Sequence, residues 1–198
     1  MSDLTFASAP EDAEALCRAE AHHARLAGEL AGHVTLLLTT AGRDDRVAES
    51  FRAGLVAFCD AELLPYAAAE EVSLYPVARR LPDTRLLVES LIGEHRCLAT
   101  LVDALRDAPT PAGAAAEARA LQVLFEEHVA KQNGLVLPLL AAAPGVRLAR
   151  LLRRLNDRVA RATTNGGDTD GTGRAGDMKD EDKSGETDGC GCGCSCGA

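Results

Sequence analysis

Tyr66-Ala67-Ala68-Ala69-Glu70-Glu71-Val72-Ser73-Leu74-Tyr75-Pro76 and His128-Val129-Ala130-Lys131-Gln132-Asn133-Gly134-Leu135-Val136-Leu137-Pro138 are two copies of one pattern. Each opens on a polar ring, places a carboxylate or amide four residues on, and reaches a proline ten residues after its start. Residues four apart lie on one helix face, a turn apart. The face of Tyr66 and Glu70 also carries Leu55, Leu63 and Leu74; that of His128 and Gln132 carries Leu121, Leu124, Leu135 and Leu139. All four polar groups are therefore expected to point into a core. A second match lies upstream of each copy: Gly93-Glu94-His95-Arg96-Cys97-Leu98 aligns with Ala21-His22-His23-Ala24-Arg25-Leu26, placing His95 on His23. The chain reads as two similar helical hairpins, each with a histidine on its first helix and an i, i+4 polar pair on its second.

Helix punctuation extends this reading outward. Ser8-Ala9-Pro10-Glu11-Asp12 supplies a cap candidate, a proline and first-turn acids. Ala41-Gly42-Arg43-Asp44-Asp45 ends the first helix, and a second runs to about Arg80. Leu81-Pro82-Asp83-Thr84 and Asp107-Ala108-Pro109-Thr110-Pro111 open the third and fourth, and Pro144-Gly145 closes the fourth. The expected fold is all-α, an antiparallel up-down four-helix bundle with its core in residues 11–142. A fifth helix, 146–162, has Leu148, Leu151, Leu152, Leu155 and Val159 on one face. Arg147, Arg150, Arg153, Arg154, Arg158 and Arg161 cover much of the rest, a solvated basic face on a packing helix.

Composition agrees and excludes alternatives. Of 198 residues, 46% are hydrophobic but only 3% aromatic, and the wealth of Ala, Leu, Glu and Arg favours helices over strands. The net charge of −9 opposes nucleic-acid binding, which needs a basic footprint to neutralise phosphates. No apolar run approaches the roughly 18 residues of a membrane helix. The start, Met1-Ser2-Asp3-Leu4-Thr5-Phe6, has no basic region followed by an apolar one, so a cytoplasmic location is expected. Cys17, Cys59 and Cys97 stand singly in helical segments and read as small core residues.

Buried polar groups need partners, and here those are each other or a metal. Helix heights, at about 1.5 Å per residue, test whether they meet. Tyr66 lies 14 residues before Arg80 and His95 lies 12 after Asp83, a good match. His95 is 12 before Asp107 while His128 is 18 after Thr110, which leaves about 9 Å to be absorbed.

Histidine, then HxxxE, then histidine, then HxxxE on four successive helices is the pattern of hemerythrin-like proteins, the HHE cation-binding family. Leu63-Leu64-Pro65-Tyr66 through Glu70-Glu71 with Leu74-Tyr75-Pro76, and His128 through Gln132-Asn133 with Val136-Leu137-Pro138, resemble its two core motifs. The resemblance covers residues 11–142. It implies a non-haem iron centre in the bundle, di-iron or mononuclear, that meets O2, NO or peroxide, with His23, Glu70, His95 and His128 as ligands. The sequence departs from the pattern twice: Tyr66 stands for the first motif's His, and Gln132 for the second motif's Glu. Tyr66 as phenolate is a hard ligand suited to ferric iron, Gln132 offers one weak carbonyl, and Glu62 and Glu71 are placed to compensate. These departures point away from oxygen carriage and toward sensing or scavenging; a metal-free bundle is the alternative.

From residue 163 onward the chain turns polar and is expected to be disordered, a second region (163–198) beyond the bundle (1–162). Gly189-Cys190-Gly191-Cys192-Gly193-Cys194-Ser195-Cys196 offers four thiols for a soft ion, Zn(II) or Cu(I). A non-enzymatic metal-handling protein, with the bundle as scaffold and this tail as the binding segment, is the competing function. No nucleophile elbow and no phosphate loop is present.

Overall fold

The computed structural model describes residues 10–165, and among them every regular element is helical. Ser8 and the thiols of Cys190, Cys192, Cys194 and Cys196 lie outside that range. Helix α1 spans Pro10–Thr40, α2 Asp45–Phe58, α3 Leu64–Ser73, α4 Tyr75–Ala78, α5 Arg85–Asp107, α6 Pro111–Lys131, α7 Leu137–Ala142 and α8 Leu148–Asn165. Each turn has a physical cause. Gly42 and Gly145 both take φ 77°, a left-handed conformation that glycine adopts without strain. Asp44 caps α2 by accepting from the Val47 amide at 3.1 Å, and Thr110 caps α6 by accepting from Gly113 at 3.1 Å. Thr84 precedes α5 but donates instead to the Ala78 carbonyl at 2.5 Å, tying α4 to the start of α5.

The second and fourth helices expected from the sequence are interrupted, not continuous to Arg80 and Ala142. A π-helical turn at Cys59–Leu63 joins α2 to α3, another at Gln132–Val136 joins α6 to α7, and Leu74 breaks α3 from α4. A proline comes just after every break: Pro65, Pro76 and Pro138 sit near the start of the next helix. Proline has no N–H to give and its ring crowds the carbonyl four residues back, so the wider turn relieves it. The second π turn also rotates helix α7 relative to α6. Val136 and Leu140 become buried where an uninterrupted α-helix buries Leu135 and Leu139, and Leu135 is 50% exposed.

Helix α6 folds back on α5 through a three-residue turn; α1 packs on α2 and α6, and α5 also meets α2 and α3. Helix α8 lies across α1 and α3 with Leu148, Leu151, Leu152 and Leu155 buried. Its first turn is held from outside, because the buried Asp12 side chain of α1 accepts from the Ala149 amide at 2.8 Å. Of the helical cysteines only Cys59 is buried; Cys17 and Cys97 are exposed, contrary to the reading of all three as core residues. Single polarizable residues on a helix carry no periodic signal that separates the two faces.

The core falls into two apolar layers. One contains Leu26, Leu30, Leu55, Leu63, Leu98, Leu105, Leu121 and Phe125; the other contains Ala19, Leu74, Leu91, Val136, Leu137, Leu140 and Leu148. Between them α1, α3, α5, α6 and the second π turn place polar residues inward: His23, Glu70, His95, His128 and Gln132 are all buried. Replacing Asp12 with Ala removes the cap that docks α8. The expected cost is about 1–2 kcal/mol in urea unfolding; an unchanged midpoint and slope would show that α8 is held by its leucines alone.

Candidate metal centre

Glu70 is the hub of the polar layer. One of its oxygens, Oε2, faces His95 Nε2 at 3.3 Å and His128 Nε2 at 3.9 Å; the other, Oε1, faces His23 Nε2 at 3.7 Å. Glu70, His95 and His128 each bring a ligand atom within 4.8 Å of the others, so three helices supply one candidate metal site. The 9 Å height difference between His95 and His128 closes to 3.2 Å between their Nε2 atoms. Side chains lean toward their own helix N-terminus. As α6 folds back on α5, His95 leans away from the connecting turn and His128 leans toward it, so the two leans add.

The outer nitrogens fix the tautomers. His95 Nδ1 donates to Glu71 at 2.9 Å and His128 Nδ1 donates to Glu94 at 3.0 Å, because carboxylates only accept. Lys131 in turn binds Glu94 at 2.5 Å. In the neutral rings both Nε2 atoms then carry a lone pair, and the lone pairs meet at 3.2 Å beside a carboxylate oxygen. Gln132 and the Tyr75 hydroxyl supply the nearby protons. The amide donates to Glu70 at 2.8 Å and lies 3.0 Å from His128 Nε2; the phenol lies 3.4 Å from both Glu70 and His95. The phenol also lies 3.5 Å from His128 Nε2, so it is within reach of both imidazoles. A cation there, either a shared proton or a metal, removes the repulsion. This donor set of two imidazoles and a carboxylate fits a first-row divalent metal, and carboxylates behind each imidazole are the usual outer partners of metal-bound histidine.

The His23 side is built differently. His23 Nδ1 donates to Asn133 at 2.6 Å, so its Nε2 accepts from the Tyr66 hydroxyl at 3.0 Å. Burial, then the charge of Glu70, pushes the Tyr66 phenol well above its usual range, which keeps the proton on oxygen. The structure thus brings His23, Tyr66, Glu70, His95, His128 and Gln132 into one layer, with Tyr66 paired to His23 and Gln132 donating to Glu70. Glu62 instead meets Arg25 at the surface at 2.8 Å, and Glu71 serves as the acceptor behind His95.

Tyr75, Asn133 and Glu94 are site residues that the sequence pattern does not reveal. Tyr75 is five residues from Glu70, off the α-helical face, and only the break at Leu74 turns it inward. Asn133 is carried on the π turn beside Gln132. For Glu94 and Asn133 the one available signal was adjacency to His95 and Gln132.

Residues 18–140 match the hemerythrin HHE cation binding domain, and the chain belongs to that family. No curated protein and no solved structure matches it. The family assignment and the Glu70–His95–His128 cluster together define a hemerythrin-like, metal-binding protein. Among the described residues no helix is long and apolar enough to cross a membrane.

Ionisation is set by the same contacts. Burial opposes the charge of Glu70, but hydrogen bonds with His128, His23 and His95 outweigh it and hold the carboxyl well below its usual range. Burial likewise opposes charge on His23 and His95, yet the bond to Glu70 and its charge raise both above the ordinary 6.5. Raised histidines stabilise the fold fully below 6.5 and lose that contribution as the pH climbs through their folded values; Glu70 stays charged across the same window. The melting temperature of the chelated chain should therefore fall as pH rises from about 6.5, and Glu70→Gln should flatten the slope. A metal-free chain whose melting temperature is level from mildly acidic to mildly basic pH would contradict this coupling.

Proposed function

We propose that the chain binds a single non-haem iron through Glu70, His95 and His128, in an antiparallel up-down four-helix bundle, and senses or scavenges O2, NO or peroxide in the cytoplasm. The observation that carries the reading is the pair of imidazole Nε2 atoms 3.2 Å apart beside a buried carboxylate, each ring with its outer nitrogen held by a second carboxylate. Two histidines and one carboxylate that leave coordination positions open suit ferrous iron. When bound, iron supplies an exchangeable electron and a vacant position for a diatomic or peroxide ligand.

The chain's own residues do the rest. Glu71 and Glu94 orient His95 and His128, and Lys131 tempers the charge of Glu94. Gln132 and Tyr75 hold donor hydrogens next to Glu70 Oε2, available to any polar ligand that arrives there. Leu63, Leu98, Phe125 and Val129 wall the inner space with apolar surface. That space is about 10 Å³, room for one small ion or water. The Tyr66 hydroxyl, donating to His23 Nε2, ties up the other half of the layer, so one ion per chain is proposed. In this proposal Tyr66 and His23 form a hydrogen-bonded pair and do not bind the iron. The terminal cysteines, in a separate region from 163 onward, would add a Zn(II) or Cu(I) site of their own.

Anaerobic reconstitution with Fe(II) should leave one iron per chain after desalting, both in the full chain and in a chain lacking residues 189–198. Glu70→Ala or His95→Ala should abolish retention, and Glu94→Gln should weaken affinity by about 10- to 100-fold. Iron that vanishes with the cysteine tail would instead support the metal-handling reading. A truncated body that takes up no iron would sink the proposal.

A further inference from the structure

Tyr66 is the shared wall of two spaces. On its inner side lies the small space around Glu70; on its outer side a cleft of about 350 Å³ opens between α1, α3 and α8. Polar side chains from all three helices line this cleft: Arg18, His22, Tyr66, Arg153 and Asn156. Among the described residues no carboxylate lines it. Arg18 reaches Glu14, one helical turn back, in an exposed pair, a weak and replaceable partner. Among the described residues Arg153 has no ion pair. The remaining wall is small and apolar, from Ala15, Ala19, Ala149 and Leu152.

The histidine of this cleft is the odd group. His22 lies with its ring 4.6 Å from the ring of Tyr66, and its Nε2 is buried without a hydrogen-bond partner. Burying a polar atom unpaired costs free energy. Two guanidinium groups match the fork of a carboxylate, and the alanine-lined floor offers apolar surface to an alkyl group. The positive charge of α8 around the mouth would draw anions toward it.

We propose that this cleft binds a small organic carboxylate, its charged end held by Arg18 and Arg153 and its alkyl end resting on Ala15, Ala19, Ala149 and Leu152. The occupant would sit one side chain away from the metal centre, in contact with Tyr66, and α8 would be the element that creates the site. The site needs no metal, so it stands or falls separately from the iron reading.

Isothermal titration of the full-length chain with sodium butyrate, at fixed ionic strength and both as isolated and after chelation, tests this. Saturable binding of one butyrate per chain is expected in both forms. Arg153→Ala should weaken it at least tenfold and Asn156→Ala should weaken it detectably, while Arg154→Ala, on the same helix but outside the cleft, should not. Acetate should bind more weakly than butyrate and nitrate more weakly still. Absence of saturable heat, equal affinity for nitrate and butyrate, or indifference to Arg153→Ala would each overturn the proposal.

Discussion

A carboxylate buried at 2% exposure in the middle of a helical bundle must be matched by positive charge or by hydrogen bonds. Glu70 is that carboxylate, and the chain's polar layer is organised around it. His23, His95, His128, Gln132 and Tyr75 converge on its two oxygens from four directions. The apolar core is divided into layers above and below because no leucine can occupy the plane those groups take. The histidines are in turn fixed by Asn133, Glu71 and Glu94, so the layer is tied outward to groups nearer the surface. Removing Glu70 would therefore leave three imidazoles without the carboxylate they share, whatever the cation between them.

The fold was readable because its signals are periodic and local. Leucines at helical spacing, prolines and glycines at the turns, and a repeat that places His95 on His23 required no tertiary information. The inward direction of Tyr66, Glu70, His128 and Gln132 was given by the leucines that share their faces. Events that shift the period were not legible. The π turn at Gln132–Val136 moves the buried positions from Leu135 and Leu139 to Val136 and Leu140, and the break at Leu74 brings in Tyr75. Both arise from a proline just downstream, but proline alone does not say whether a helix will kink, widen or stop. The outer partners were hidden for another reason. Glu94 reaches across to a histidine on the neighbouring helix, a long-range pairing no local spacing encodes.

The two halves of the repeat have diverged in chemistry more than in shape. Around His95 and His128 the layer keeps two imidazoles, a carboxylate oxygen and carboxylates behind them. Around His23 a phenol occupies the place of an imidazole and donates a hydrogen bond to the remaining ring. That exchange converts a position able to offer an electron pair into one that is satisfied within the protein. It also gives Tyr66 a second role as a partition, with His22 and the cleft under α8 on its far side. Helix α8 owes its placement to four buried leucines and to Asp12, so the outer face of the centre depends on a contact near the start of α1.

We propose a single iron among Glu70, His95 and His128. Crystals of the iron-reconstituted full-length chain, measured on both sides of the iron absorption edge, address it most directly. One anomalous peak per chain is expected, bounded by Glu70 Oε2 and the Nε2 atoms of His95 and His128, with Tyr66 still hydrogen-bonded to His23. A second peak between His23 and Tyr66, or no peak within the bundle, would contradict it.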